Sequence, residues 1–311
     1  MRKKYYHAAT PETMEKIIAD GVVKRGWDGC VYLCEKPQDA AKFVAIRGHD
    51  EVAVIEVILP ANKVKESFDH SVQFFQCKAF MYGKSVLIAD ADQQGNISML
   101  YGRFEPQGIG MSELLEKHRA IGGTYSTEQL IDETPYENIS IIPANGFLMR
   151  TNMTLLLLEQ DNQILRFKMA MEEIQDRYDY CIVDCGLLMD MTVTNVLVAA
   201  DLVILPVKVG GFEIEAIVNM EEQLEDLRGF NPDIRMKLLM TMRQKNMTSI
   251  QVEEWLKASS GQDCFQTAIR RSIVAEKATM ERVPLPKFSK SGIVAKDYRE
   301  VAEELLKDME G

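Results

Sequence analysis

Residues 86–96 read VLIADADQQGN, an apolar run that leads directly into Asp90 and Asp92 and then into turn-forming residues. Such a run is typical of a buried parallel strand that delivers carboxylates to the edge of a sheet. In open α/β sheets, ligands bind at that edge. The same pattern also fits a core strand whose aspartates cap the next helix. The rest of the chain is needed to separate these two interpretations.

The overall composition is that of an ordinary globular protein. The 311 residues are 46% hydrophobic and 27% charged, enough for one large domain or two smaller ones. No apolar run approaches the roughly 20 residues that span a bilayer. The basic start, MRKK, is followed by Tyr5 and Tyr6 rather than by an apolar signal segment. We therefore expect a cytoplasmic protein without a membrane partner.

The cysteines and histidines do not form a metal-binding pattern. None of the six cysteines lies in a CxxC pair, and the four histidines supply no second cluster. A structural zinc site needs such a cluster. We expect reduced and mostly buried thiols.

Negative charge is concentrated after residue 83. Residues 1–83 contain 12 basic and 11 acidic side chains, so the net charge of −11 arises in residues 84–311. Within that acidic part, residues 270–296 contain seven basic side chains and only Glu276 and Glu281 against them. A local basic segment predicts a surface for polyanions. A solvated face balanced by nearby acidic helices would have the same composition.

The hydrophobic pattern divides the chain into two parts. Residues 1–82 read as strand, helix, strand, helix, strand, strand, which predicts a small α+β module. In residues 83–311, apolar strands alternate with amphipathic helices, including one long helical stretch expected over residues 155–178. This alternation predicts an α/β domain with a doubly wound, mostly parallel sheet.

The start of the chain resembles the ADP-ribosyltransferase fold. Residues 6–10 read YHAAT, and the strand pattern VYL at 31–33 precedes a Pro-x-x-Ala helix. In the His-Tyr-Glu branch of that family, the resemblance implies that His7 and Tyr32 hold the nicotinamide half of NAD. The family also needs a later Glu, which residues 74–81 (FFQCKAFM) do not clearly supply. A histidine and a tyrosine satisfied within the core explain the same residues.

Residues 84 to about 309 resemble the ParA/MinD family of partition ATPases. The similarity rests on four stretches: VLIADADQQGN at 86–96, TPYENISIIPAN at 134–145, YDYCIVDC at 178–185 and AADLVILPVK at 199–208. It implies a P-loop NTPase type of fold, an AAA domain, that binds ATP and Mg²⁺. It also implies a dimer that binds DNA non-specifically and a ParB-like partner.

The same resemblance implies roles for individual residues. Asp92 matches the carboxylate that orients the attacking water, and Asp184 matches the Walker B acid that binds Mg²⁺ through water. Asp90 and Arg243 match positions near ATP. The basic residues implied in DNA contact are Arg270, Arg271, Lys277, Arg282, Lys287 and Lys290.

The chain departs from the family at the phosphate loop. Members begin with a strand and a loop of the form KGGxGKT, whose backbone N–H groups and lysine surround the phosphates. The 311 residues contain no such loop. Gly83, Lys84 and Ser85 imitate its tail, but Lys78 stands where the first Gly belongs, and the pattern that follows is a strand instead of a helix. Smaller departures are Gln93 for a customary Pro and GL at 186–187 for Pro-Pro.

Losing the first strand has a structural consequence as well. That strand is central in the family's sheet, so its absence exposes backbone groups on both neighbours. Residues 52–59 and 74–81 are the two segments available to fill the place.

Three functions follow from these observations. The first is a ParA-like chromosome or plasmid partitioning protein that has lost ordinary ATP hydrolysis. It would act as a DNA- or partner-associated subunit, as a homodimer or as a heterodimer with an intact ParA-like protein. The second is an active ATPase that is completed in trans by another phosphate loop or whose full-length product carries one. The third is an NAD-dependent ADP-ribosyltransferase-like module on a ParA-like platform. A fused or truncated reading frame without a joint function is a further alternative.

Overall fold

The computed structural model describes residues 2–23, 30–67, 77–83, 85–116, 125–136, 138–157, 162–186, 188–208, 213–259 and 263–310. The chain divides into two compact units. The first comprises residues 1–87, 136–139 and 175–181, and the second comprises the remainder. No helix of the described ranges is long and apolar enough to cross a membrane.

The first unit contains a five-stranded sheet and two helices. Its strands are β1 (Arg2–Ala9), β2 (Cys30–Cys34), β3 (Ala53–Pro60), β4 (Val64–Ser67) and β5 (Ala79–Gly83), and its helices are α1 (Pro11–Asp20) and α2 (Pro37–Ala45). The sheet order is β3-β1-β2-β5-β4, and every neighbouring pair is antiparallel. Both helices and the first three strands expected in residues 1–82 are confirmed, whereas β4 was not expected.

Local sequence signals explain why α1 begins and ends where it does. The Thr10 side chain accepts a hydrogen bond from the backbone N–H of Thr13, and Pro11 occupies the first helical position. Gly21 follows the helix in the left-handed conformation, with φ 66°. The buried face of the helix carries Met14 and Ile17.

Both segments that were expected to fill the vacant strand position pair within this first sheet. Ala53–Pro60 pairs along its whole length with β1. Ala79–Gly83 lies between β2 and β4. Residues 74–76 lie outside the described residues. The expectation was therefore wrong for β3 and for the described part of β5.

The rest of the chain alternates strands with helices. The strands are β6 (Val86–Ala91), β7 (Asp132–Glu133), β8 (Ile139–Ile142), β9 (Tyr180–Cys185), β10 (Leu202–Lys208), β11 (Arg235–Thr241) and β12 (Asp263–Cys264). The helices are α3 (Asn96–Leu100), α4 (Met111–Glu116), α5 (Leu148–Leu157), α6 (Arg166–Glu172), α7 (Met191–Ala199), α8 (Glu213–Leu227), α9 (Met247–Ser259), α10 (Ile273–Met280), α11 (Leu285–Phe288) and α12 (Ile293–Glu310).

These strands form two separate sheets. One has the order β7-β8-β6-β9, with β7 and β8 antiparallel. The other has the order β10-β11-β12 and is parallel throughout. The predicted α/β fold is confirmed.

The prediction of one long helix over residues 155–178 is wrong. α5 ends at Leu157, α6 is limited to Arg166–Glu172, and Asn162 between them is left-handed, with φ 61°. The buried Asn195 side chain of α7 accepts hydrogen bonds from the N–H groups of Arg166 (2.9 Å) and Phe167 (3.3 Å). A distant side chain thus fixes the start of α6, and the apolar periodicity of the sequence does not reveal it.

Candidate functional site

Asp90, near the end of β6, is linked by hydrogen bonds through Ser98 to neighbouring segments. It is 0% exposed, and its Oδ2 accepts hydrogen bonds from the N–H (2.8 Å) and the hydroxyl (2.5 Å) of Ser98 on α3. Ser98 Oγ also accepts a hydrogen bond from the N–H of Ala144 (2.9 Å). Burial raises the pKa of Asp90, and the Ser98 hydrogen bonds oppose that rise. Ser98 was not predicted from the sequence, although its position in the first helix after the strand was an available signal.

Asp92 follows β6 in a tight turn. Its Oδ1 accepts a hydrogen bond from the N–H of Gln94 (2.9 Å), and Gly95 then precedes α3 with φ 63°. A Cβ at position 95 would lie 2.3 Å from the Phe104 ring. Both the left-handed backbone and the close ring therefore require glycine here. The turn leaves Asp92 half-buried at the end of the strand.

The ends of β6 and β9 lie side by side. A Cβ placed on Gly186, directly after β9, would lie 3.5 Å from Asp92 Oδ1. Burial raises the pKa of Asp184, and the negative charges of Asp90 and Asp92 raise it further. The structure therefore brings the three predicted carboxylates together. Burial is the main cause of the raised pKa of both Asp90 and Asp184.

The carboxylate of Asp90 is engaged by protein donors. The oxygens of Asp90 are occupied by hydrogen bonds from Ser98 and from the N–H of Asp92 (3.3 Å). Within the described residues, no group of three His, Cys, Asp or Glu side chains is placed to hold a metal ion. Ser85, in the loop-like GKS sequence, donates its N–H to Asp179 (2.9 Å), and β6 begins at the next residue. The expectation that a strand follows this sequence is confirmed.

Arg243, which the family resemblance places near ATP, is engaged in an ion pair. Its guanidinium contacts Glu253 of α9, and its backbone N–H donates to the carbonyl of Ile269 (2.9 Å). Burial raises the pKa of Glu253, but hydrogen bonds from Lys257 and Arg243 outweigh burial and hold it below the usual value. In this conformation the Arg243 side chain stabilises the end of β11 against α9.

The six basic residues expected at DNA differ in their surroundings. Arg270 forms a bidentate ion pair with the buried Asp297, and its backbone N–H donates to the same carboxylate (3.0 Å). Arg271 lies 3.8 Å from Glu276. The other four side chains are exposed: Lys277, Arg282, Lys287 and Lys290.

His7 and Tyr32 lie on neighbouring strands of the first unit. His7 Nδ1 is 2.9 Å from the backbone carbonyl oxygen of Tyr32, and the Tyr32 side chain is exposed. The structure therefore brings the two residues of the NAD hypothesis together on one sheet.

Comparison with known proteins identifies the family. Residues 70–236, more than half of the chain, match the family described as AAA domain. The chain belongs to the ParA/MinD type of partition ATPases. This confirms the resemblance drawn from residues 84–309.

Two of the similar sequences carry the name Soj. The chromosome-partitioning ATPase Soj of Treponema pallidum is 23% identical over 227 residues, covering 72% of this chain and 86% of the relative. The sporulation initiation inhibitor protein Soj of Bacillus subtilis is 25% identical over 241 residues, covering 76% and 91%.

Two solved structures show the same fold. Apo McdA from Cyanothece has a TM-score of 0.61 at 17% identity and covers 71% of this chain and 88% of that one. A plasmid partition protein of Borrelia burgdorferi bound to AMPPNP has a TM-score of 0.60 at 19% identity and covers 72% and 87%. These relatives add no support for an ADP-ribosyltransferase assignment, which stays a hypothesis.

Proposed function

We propose that this protein is a cytoplasmic ParA-like partitioning protein that associates with DNA or with a partner protein and does not hydrolyse ATP by itself. One observation carries the proposal. Asp92 and Asp184 converge at one sheet edge as in an ATPase, but none of the 311 residues supplies a phosphate loop.

The physical reason is electrostatic. Positioning and neutralising the phosphates account for most of the catalysis in phosphoryl transfer. In this chain the edge that would face the triphosphate carries the carboxylates of Asp90, Asp92 and Asp184, and the charges of Asp90 and Asp92 raise the pKa of Asp184. Without a loop of N–H donors and a lysine, these carboxylates repel the nucleotide.

Phosphate release from ATP is the direct test. The purified chain should release phosphate at the rate of the buffer blank, with the chromosome-partitioning ATPase Soj of Treponema pallidum as the family reference. Hydrolysis above the blank that disappears in the Asp184→Ala variant would contradict the proposal. Hydrolysis that persists in the variant would indicate a contaminating enzyme. The variant protein would then be purified further until its phosphate release equals that of the buffer blank.

The basic segment is the proposed DNA contact. Lys277 and Arg282 are exposed there, whereas Arg270 is held by Asp297. Binding of a DNA duplex should weaken steeply with salt because it rests on phosphate contacts. The double variant Lys277→Glu/Arg282→Glu should lower the slope of log affinity against log salt by about 2, roughly one per lost phosphate contact.

A charge reversal in the first unit is the matched control. Lys16→Glu changes an exposed lysine that pairs with Glu12 on the same helix and should leave DNA binding unchanged. DNA affinity that does not change with salt concentration, or that falls equally in both variants, would contradict a role for the basic segment in DNA binding.

The names of the relatives suggest the assembly and the protein partner of this chain. Their names refer to chromosome and plasmid partitioning. We propose a homodimer, or a heterodimer with an intact ParA-like protein, and a ParB-like partner. Sedimentation of the chain alone, and then with an intact ParA-like protein, separates the two assemblies.

The contact between His7 and Tyr32 favours a second candidate function, an NAD-using module in the first unit. Calorimetry with NAD is the test. Binding that is lost in both His7→Ala and Tyr32→Ala would support this function, and absence of binding at millimolar NAD would remove it.

A further inference from the structure

Two cysteines lie side by side at one end of the sheet of the first unit. Cys34 is the last residue of β2, and it is paired with Ala79 of β5 in the antiparallel register. Cys77 precedes Ala79 by two residues, and the alternation of side chains along a strand therefore places it on the face of Cys34. A hydrogen bond joins the two side chains. The sheet register and this hydrogen bond together bring the two sulfurs into contact.

The two thiols differ in accessibility. Cys34 is buried and packs in one cluster with Ala40 and Ala79. Cys77 is half-buried, so a small molecule in the solvent reaches its sulfur. Both are free thiols in this structure. An accessible thiol beside an enclosed one is typical of a pair in which the first reacts with an external reagent and the second resolves the product.

An ion pair on α2 acts on both sulfurs. Lys42 Nζ lies 2.7 Å from Asp39 Oδ1, and both charges influence Cys34 and Cys77. Burial raises the pKa of Cys34 to about 12 and also raises the pKa of Cys77. The charge of Lys42 opposes the rise at both thiols, and the hydrogen bond from Cys34 opposes it at Cys77. At neutral pH both groups are therefore neutral thiols, and Cys77 is the one that ionises first.

We propose that Cys34 and Cys77 form a redox-active dithiol that is oxidised to a disulfide by small-molecule disulfides such as oxidised glutathione. In the closed form, the bond ties the end of β2 to the segment that leads into β5. The pair is open at a reducing poise and closes when small disulfides accumulate. It lies within the first unit, and the inference does not depend on the proposed function.

The reaction consists of two exchange steps. The Cys77 thiolate attacks one sulfur of the external disulfide, which gives a mixed disulfide and releases one external thiolate. The Cys34 thiolate then attacks the sulfur of Cys77, which forms the protein disulfide and releases the second external thiolate. The two released thiolates take up the two protons that Cys34 and Cys77 have lost. The protein dithiol thus loses two electrons and two protons, and the external disulfide gains both and becomes two thiols.

The first step prepares Cys34 for the second. After burial, the charge of the Cys77 thiolate and the hydrogen bond to Cys77 are among the causes that raise the pKa of Cys34. A mixed disulfide at Cys77 has no thiolate charge, so these two contributions disappear while the ion pair of Asp39 and Lys42 remains. The pKa of Cys34 therefore falls when the mixed disulfide forms, and the attacking thiolate becomes more populated.

The position of Cys77 allows the sulfurs to approach each other. A disulfide brings them to about 2.05 Å, which is closer than two hydrogen-bonded thiols. Cys77 lies in a bend before the first residue of β5, so the movement falls on a residue outside the strand that pairs with β2. The pairing of Cys34 with Ala79 is kept, and the disulfide forms without a change of sheet register.

Incubation of the full chain with oxidised glutathione is the direct test. We expect the chain to lose the mass of two hydrogens. Alkylation of the remaining thiols and proteolysis without reduction should then give one peptide pair that links Cys34 to Cys77, and dithiothreitol should separate it. A folded chain that gives no such link, or no more of it than the chain unfolded in urea, would overturn the proposal.

Single substitutions separate the roles of the two thiols. Cys34→Ser should retain one glutathione on Cys77 because no second thiol displaces it, and Cys77→Ser should leave Cys34 unmodified. Cys30→Ser is the matched control. Cys30 is also buried in β2, but its Sγ accepts a hydrogen bond from Asn138 Nδ2 (3.1 Å). This variant should form the link as the wild type does. Loss of the link in folded Cys30→Ser, or glutathione on Cys34 in Cys77→Ser, would overturn the proposal.

Thermal denaturation of the wild-type chain gives a readout that needs no variant. The closed bond joins segments that are far apart in the sequence, so the oxidised chain should melt at a higher temperature than the reduced chain. An equal or lower melting temperature of the oxidised chain would contradict a bond that fits the folded sheet. DNA binding and ATP hydrolysis are measured on the reduced chain, so failure here is distinct from failure of the proposed function.

Discussion

Arg270 and Asp297 are joined by a bidentate ion pair in which the Asp297 side chain is buried and the Arg270 side chain is 39% exposed. The pair links the segment after β12 to α12. Burial raises the pKa of Asp297, but the hydrogen bonds and charge of Arg270 outweigh burial and hold that pKa below its usual value. The most basic stretch of the sequence thus begins with an arginine that stabilises the fold.

Removing Arg270 should destabilise the protein. Arg270→Ala leaves a buried carboxylate without its cation, and we expect a loss of about 2 kcal/mol at pH 7, below the about 3–5 kcal/mol of a fully buried pair. Urea denaturation measures it. The double variant Arg270→Ala/Asp297→Asn should recover part of the loss because no buried charge remains. Equal stability of Arg270→Ala and wild type would contradict the assignment.

The same pair should make stability depend on acid pH. The pKa of Asp297 is lower in the folded chain than the ordinary value of 3.8, so its contribution is complete above 3.8 and is lost as pH falls through the folded pKa. The stability difference between wild type and Arg270→Ala should therefore shrink when denaturation is repeated at and below pH 3.8. A difference that stays constant with pH would indicate that packing is the cause.

The carboxyl group of Asp184 should have the opposite effect on the pH dependence of stability. Burial, with Asp90 and Asp92 nearby, raises the pKa of Asp184 in the folded chain above 3.8. Stability is therefore lost as pH rises from 3.8 to the folded pKa, because the folded chain disfavours the ionised carboxylate. Asp184→Asn should raise the melting temperature at pH 7, and the gain should disappear below pH 3.8, where Asp184 is protonated in both states. A lower melting temperature at pH 7 would contradict the desolvated, acidic surroundings of Asp184.

The turn after β6 should not tolerate a side chain at position 95. Gly95→Ala places a Cβ at positive φ and 2.3 Å from the Phe104 ring, and the left-handed backbone alone costs about 1–2 kcal/mol. Gly229→Ala is the matched control because nothing lies within 4 Å of its Cβ. Thermal denaturation of both variants should separate them, and equal melting temperatures would show that the turn can rearrange.

Removing the Ser98 hydroxyl should weaken the same region. Ser98→Ala deletes the hydrogen bond to the buried Asp90 Oδ2 and the acceptor for the N–H of Ala144. We expect a loss of about 1–3 kcal/mol because both partners stay buried. Ser112→Ala is a comparison in which a buried hydroxyl donates to Asn145 Oδ1 (2.6 Å). A smaller loss for Ser98→Ala than for Ser112→Ala would argue against a central role for Ser98.

Local signals in the sequence predicted local structure. Thr10, Pro11 and Gly21 fix α1, and the run before Asp90 fixes β6, because caps and strand patterns act within a few residues. The start of α6 was missed because Asn195, 29 residues away, caps it. Arg270 was assigned to DNA because sequence does not reveal that Asp297 packs against it. The apolar pattern of β9 indicates a central strand, whereas the sheet order places β9 last among the described strands of its sheet.

Calorimetric titration of the purified chain with Mg-ATP is the decisive experiment for the proposal that Asp92 and Asp184 lie at an ATPase-like edge without a phosphate loop of their own. We predict no binding in the micromolar range by the chain alone. Micromolar binding that is abolished by Asp184→Ala would contradict this proposal.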